Sequence, residues 1–193
     1  MRQVTTVDVE IKGIRPLLQN DSFEDESSGG KTKTVYVDQD EAERRLIENK
    51  EGTICQKASH LEASMIKSAV DFKFKGQKTY KDIIKAGVIV EPLLIPHLNP
   101  EWEIDKQSVK IGTARISRCR PRFDDWNLKF QIKITDDRIE PLTLKSILEN
   151  AGLYVGIGDY RPRYGLFDVV SWQVRNGNAA PVVEPSVRRR RSE

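Results

Sequence analysis

The chain has 193 residues, of which 38% are hydrophobic and 32% are charged, and its formal net charge is +3. This length and composition fit a single soluble domain with elaborations, whereas no apolar run reaches the about 18–20 residues that cross a bilayer. The N-terminus lacks the apolar stretch of a secretory signal, so we expect a cytoplasmic protein. Cys55 and Cys119 form no CxxC motif and no Cys/His cluster, which favours a reducing compartment and disfavours a structural zinc site or other cofactor.

The first 34 residues predict a strand followed by an insertion. Val7, Val9 and Ile11 alternate with polar residues, which is typical of a half-buried strand. Residues 20–34 are polar, with two serines and two glycines at their centre. Such a segment has too few apolar side chains to pack, so we expect a mobile insertion there.

Two helices are predicted next. Residues 40–51 indicate a short helix, and residues 59–72 give the clearest helical pattern of the chain, since their apolar residues recur every four positions. Ser59 is in position to be the N-cap of the second helix, and Glu62 follows three residues later as in a capping box.

The middle of the chain predicts three strands. Residues 88–94 form an apolar strand candidate, and residues 109–119 indicate a strand whose alternation slips near Gly112, which is typical of a bulge. Residues 127–134 alternate most regularly, with one apolar face and one basic or polar face.

The last third predicts a helix, a glycine-rich loop and a strand. The helix begins at Thr143 and ends at Gly152, where a C-terminal glycine is common. The final strand covers residues 166–174. We therefore predict an α+β fold with a ferredoxin-like, RRM-like βαββαβ core. The domain covers residues 1–175 and is followed by a flexible basic tail over residues 176–193.

Two features indicate a polyanion as the ligand. Residues 152–170 combine four glycines, three tyrosines and two arginines; arginine pairs with phosphate, and tyrosine stacks on bases. Residues 106–122 form a basic stripe, with six cations and no acid. The alternative for both is an ordinary connection and a solvated strand face.

Three segments also match a known pattern. They are a strand ending in Gly-Ile-Arg-Pro-Leu-Leu at residues 13–18, a short strand feeding a helix at residues 54–69, and the glycine-rich loop with its following strand at residues 156–169. Together they resemble the RAMP superfamily, the RRM-like proteins of CRISPR systems, and above all their crRNA-binding backbone subunits. The resemblance implies single-stranded RNA binding in antiviral defence, as a homo-oligomer or with partner RAMP-type subunits.

The candidate binding residues come from the loop, the first long helix and the basic stripe. They are Gly156, Gly158, Tyr160, Arg161, Arg163, Lys67, Arg118, Arg120 and Arg122. Backbone amides near the two glycines are further candidates for phosphate contact. Trp126 and Phe123 fit either a core position or base stacking.

Three other functions remain open from the sequence. One is a single-stranded DNA-binding or annealing protein of phage type, and another is a protein-interaction or inhibitor protein. The third is a RAMP-type endoribonuclease, for which His60 and His97 are the only histidines. Because neither histidine has the neighbours that specify acid–base catalysis, we expect no enzyme activity.

Overall fold

A computed structural model describes residues 4–21, 38–76, 78–111 and 114–175, and of residues 108–111 and 114–116 it describes the backbone alone. The predicted insertion over residues 20–34 lies mostly outside the described residues, and the predicted tail lies wholly outside them. The elements in chain order are β1 (Thr5–Gly13), β2 (Leu17–Leu18), α1 (Asp38–Glu43), β3 (Cys55–Lys57), α2 (Ala58–Ser68), β4 (Lys73–Lys75), β5 (Lys78–Thr79), α3 (Lys81–Gly87), β6 (Val88–Glu91), β7 (Leu94–Pro96), β8 (Glu103–Ile111), β9 (Ala114–Phe123), β10 (Asn127–Ile134), α4 (Pro141–Asn150) and β11 (Phe167–Arg175).

The main sheet has four antiparallel strands in the order β11-β1-β10-β6. In chain order, β1, α2, β6, β10, α4 and β11 form a βαββαβ unit with the strand order of a ferredoxin-like fold. The predicted fold class is therefore confirmed. No α-helix in the described part of the chain is long and apolar enough to span a membrane.

Strict alternation explains how β1 and β10 form the centre of this sheet. Val9 lies opposite Phe130 and Ile11 opposite Leu128, so the apolar side chains of both strands point to one face. That face packs against α2 and α4 through buried residues such as Leu61. The other face stays open to solvent.

The predicted strand over residues 109–119 is wrong. Strand β8 pairs with β9 as an antiparallel hairpin in which Ile111 lies opposite Ala114, so the chain reverses where a bulge was expected. Strand β2 pairs with the other side of β9, with Leu17 opposite Phe123. The basic stripe is thus divided between two neighbouring strands.

The predicted helix ends also differ from the observed ones. Helix α2 begins at Ala58, and no side chain caps it; Glu62 instead accepts a hydrogen bond from Val90 N at 2.9 Å, so the capping box is wrong. Helix α4 begins at Pro141 and continues into a π-helical turn, Ala151–Val155. Gly152 therefore lies inside this turn, where a Cβ would meet Phe167 O at 2.2 Å.

The first predicted helix is shorter than expected. It was placed over residues 40–51, whereas α1 covers Asp38–Glu43. Beyond it the chain forms turns, and Ile47 is buried without being helical.

Candidate nucleic-acid interface

The open face of the main sheet carries no platform for stacking bases. Its four strands contain three aromatic residues, Phe130, Phe167 and Trp172, and all three pack against the core. Three ion pairs join neighbouring strands across it: Lys129 lies 3.5 Å from Glu10 and Lys133 lies 2.5 Å from Glu91, while Arg175 contacts Asp8. The face that RNA-recognition modules use for stacking here carries ion pairs between strands and, among its described residues, offers no aromatic ring for stacking.

The glycine loop, residues 156–165, is anchored at its base by backbone hydrogen bonds. Ile157 N donates to Gly165 O at 2.9 Å, which closes the loop, and Gly165 N donates to Pro16 O at 2.8 Å. Asp159 N donates to Leu18 O at 2.9 Å. The loop is therefore held on the segment that follows β1.

Two predicted glycines are structural parts of this base. Gly156 has a φ of +73°, and its amide donates to Ala151 O at 2.8 Å. Gly158 has a φ of +77°, and a Cβ there would lie 2.5 Å from Leu18 O. Since L side chains rarely adopt this backbone conformation, glycine is required at both positions.

The loop tip, residues 160–164, presents the two predicted arginines to solvent. Arg161 and Arg163 are exposed, and neither forms an ion pair with another described residue. Tyr160 is 45% exposed. Arg15 Nη1 donates to Arg163 O at 3.3 Å, which brings a third guanidinium to the tip.

Helix α2 runs alongside the base of the loop. Ser64 Oγ donates to Gly156 O at 2.9 Å, and His60 and Lys67 lie on the same side of the helix, four residues before and three residues after Ser64. Lys67 is exposed. Burial lowers the pKa of His60, and the nearby charges of Lys57 and Arg161 lower this pKa further, so the ring is neutral at neutral pH.

A further exposed tyrosine precedes the glycine loop by two residues. Tyr154, in the π-helical turn between α4 and Gly156, is 69% exposed. We call the combined set the loop surface; its members are Arg15, Lys67, Tyr154, Tyr160, Arg161 and Arg163. It combines cations with aromatic rings, as single-strand binders do.

The basic stripe is not an open row of cations. Arg118 lies 3.2 Å from Glu41, and Arg122 lies 2.6 Å from Asp124, a contact that raises the pKa of Arg122. Arg120 is only 7% exposed. Each of these three arginines thus has an acidic neighbour, which for Arg120 is Asp159 at 2.8 Å.

The remaining aromatic and histidine candidates lie inside the protein. Trp126 and Phe123 are fully buried, so their core interpretation is confirmed. His97 is 6% exposed, its ring centroid lies 4.6 Å from that of Phe123, and burial lowers its pKa to about 4. Its Nε2 lies 3.3 Å from Gln19 Nε2.

Comparison with known proteins supports the fold and no more. No protein-family model matches the chain, and no curated protein matches it. Its structure resembles a chain in the cryo-EM structure of type III-B Cmr-beta bound to cognate target RNA, with a TM-score of 0.56 and 11% sequence identity. The match covers 90% of this chain but 61% of the other, so this chain spans about three-fifths of that chain's length. The likeness shows that the two chains share a fold.

Sequence reasoning missed two members of the loop surface. Tyr154 belongs to the glycine-rich stretch and Arg15 to the Gly-Ile-Arg-Pro-Leu-Leu segment, so both stood within recognised motifs. The contact between Arg15 and Arg163 joins residues 148 positions apart. Only the folded chain shows that the first and last of these motifs meet.

Proposed function

We propose that this protein binds single-stranded RNA through the loop surface, without cleaving it, as a RAMP-like subunit. The observation that carries the proposal is the exposure of Arg161 and Arg163 together with their lack of a described acidic partner. Both guanidinium groups are exposed and lack an acidic partner among the described residues, while the loop below them is fixed by backbone hydrogen bonds. Cations held in this way bind an anion without first breaking an ion pair.

The proposed mechanism combines phosphate capture with stacking. Arg161 and Arg163 pair with successive phosphates, since a guanidinium fork matches phosphate oxygens. Tyr154 and Tyr160 offer ring faces to the bases, an interaction that every base can make. Because the base of the glycine loop is already ordered, less conformational entropy is lost on binding than with a free loop.

RNA is preferred to DNA because a chain of similar fold comes from a structure bound to cognate target RNA. Assembly with partner RAMP-type subunits or further copies, a cytoplasmic location and a role in antiviral defence belong to the same proposal. The absence of cleavage is proposed because His97 is buried and because Asp21, the carboxylate whose charge acts on His60, is paired with Lys57 at 2.5 Å.

The test is a salt-titrated fluorescence-anisotropy assay with single-stranded RNA and DNA of matched sequence. Arg161→Ala combined with Arg163→Ala is compared with Lys81→Ala combined with Lys85→Ala, which removes two exposed cations from α3. The loop variant should bind RNA at least about tenfold more weakly, and its log–log salt slope should fall by about 1.4, since each lost phosphate contact accounts for about 0.7. The α3 variant should bind like the wild type.

Three outcomes would contradict parts of the proposal. Unchanged affinity in a folded loop variant refutes the loop assignment, and equal or tighter binding to DNA favours the phage-type alternative. Shortened RNA on a gel after binding, lost in His60→Ala, favours the endoribonuclease.

A further inference from the structure

Arg120 is one of the predicted phosphate contacts, but unlike Arg161 and Arg163 it is buried. Arg120 on β9 is 7% exposed, so its guanidinium lies beneath the surface. Its Nε lies 2.8 Å from Asp159 Oδ2, and its Cζ lies 5.4 Å from the ring centroid of Tyr160. Both partners belong to the glycine loop and directly precede Arg161.

The other strand of the hairpin contacts the far side of the same tip. Gln107 on β8 donates from Nε2 to Tyr164 Oη at 2.9 Å, and to Asp105 Oδ2 at 3.1 Å. Asp105 lies opposite Arg120 in the β8–β9 register. The hairpin therefore contacts Tyr160 before the tip arginines and Tyr164 after them.

These contacts explain why a phosphate-binding loop contains the acidic residue Asp159. Asp159 lies two residues from Arg161 and by its charge alone would repel RNA. Its ion pair with Arg120 neutralises that charge, and it attaches the loop to β9 at the point where the backbone turns through Tyr160, whose φ is +58°. The acid and the buried arginine act as one neutral unit.

We infer that Arg120 and Asp159 are positioning residues of the RNA-binding loop: the β8–β9 hairpin holds the tip so that Arg161 and Arg163 face the ligand, and Arg120 itself touches no phosphate. This inference rests on the proposed function and deepens it. Arg120 therefore supports the residues that contact RNA and is not itself a contact residue.

The discriminating variant is Asp159→Ala. If Asp159 acted only through its charge, removing this acid beside an anion-binding tip would strengthen RNA binding. If Asp159 positions the tip, the variant weakens binding instead, by about tenfold, which is what ordering one or two long side chains on binding costs.

Arg120→Ala should weaken RNA binding by a similar factor while leaving the salt slope at its wild-type value. A direct phosphate contact would lower that slope by about 0.7. The losses of the two single variants should not add in the double variant, because one contact is removed in each case. Arg120→Lys, which keeps the charge, should recover part of the affinity.

Thermal unfolding of each variant shows whether it is folded. Should either single variant fail to fold, Arg120→Gln combined with Asp159→Asn, in which neither member of the pair is charged, takes its place with the same expected loss and unchanged slope. Tighter binding by Asp159→Ala, or a lower salt slope for Arg120→Ala, overturns the inference. The proposed function still stands if the Arg161/Arg163 variant loses affinity, so the two failures are distinguishable.

Discussion

Gly165→Ala should destabilise the protein more than the same change at Gly52, although the two glycines have nearly the same positive φ angle. Their φ angles are +73° and +75°. A Cβ on Gly165 would lie 1.8 Å from Ile157 O, whereas a Cβ on Gly52 would have no heavy atom within 4 Å. The pair therefore separates steric overlap from backbone strain.

The expected losses of stability follow from the steric overlap and the backbone strain at each position. Left-handed backbone costs a non-glycine residue about 1–2 kcal/mol, and this is the whole loss expected for Gly52→Ala. Gly165→Ala adds an overlap with a backbone oxygen that cannot rotate away, for which overpacking suggests about 1–3 kcal/mol more. The total of about 2–5 kcal/mol lowers the melting temperature by about 2–4 °C per kcal/mol for a chain of this size.

Urea unfolding of the wild type and the two variants measures the difference, with equal slopes required for a comparison of midpoints. A folded Gly165→Ala protein should also bind RNA more weakly, because Gly165 closes the base of the loop through its contacts with Ile157 and Pro16. Gly52→Ala should bind normally. Equal loss of stability in both variants would show that the close approach of the loop backbones is not as described.

Two further predictions concern buried polar groups. Burial lowers the pKa of His97 from its ordinary 6.5 to about 4; between these values only the unfolded chain takes up the proton, so stability falls by about 3 kcal/mol as the pH drops from about 7 to about 4. Urea unfolding across this range should show the loss in the wild type, and His97→Gln should give a flatter profile; identical profiles would exclude His97 as the cause. Ser64→Ala removes the buried hydrogen bond to Gly156 O and should cost about 1–2 kcal/mol. Ser146→Ala, which removes an exposed bond to Leu142 O, should cost almost nothing, and a similar loss in both would refute the assigned role.

The parts of the fold that sequence predicts best are those that local periodicity determines. Strands β1 and β10 alternate strictly because one face of each is buried, and both were found at their predicted positions. The β8–β9 hairpin was missed because its strands are rich in charge and give no comparable alternation. Glu62 fitted a capping box locally, yet its side chain bonds to Val90 of a neighbouring strand.

In the candidate site, too, local sequence does not show which residues from distant parts of the chain meet. Residue types and spacing single out Arg118, Arg120 and Arg122 as a row of cations, but the acids that pair with the first two come from distant parts of the chain, Glu41 and Asp159. A sequence lists charges, whereas the fold decides which of them are neutralised. Arg161 and Arg163 differ from the stripe in being exposed and in having no acidic partner among the described residues.

The fold alone would have placed the ligand on the open sheet face, and the side chains argue against that placement. Across that face Lys129, Lys133 and Arg175 form ion pairs with acids of the same sheet. Lys12 lies 3.7 Å from Asp125 in the turn before β10. Such pairs cancel at a distance, and the net charge of +3 is small. The local potential that attracts a polyanion therefore depends on cations without partners, and among the described candidates Arg161 and Arg163 stand together on one ordered loop. Affinity for RNA should therefore change when Arg161 and Arg163 are substituted. It should stay the same when both members of an ion pair on the sheet are substituted.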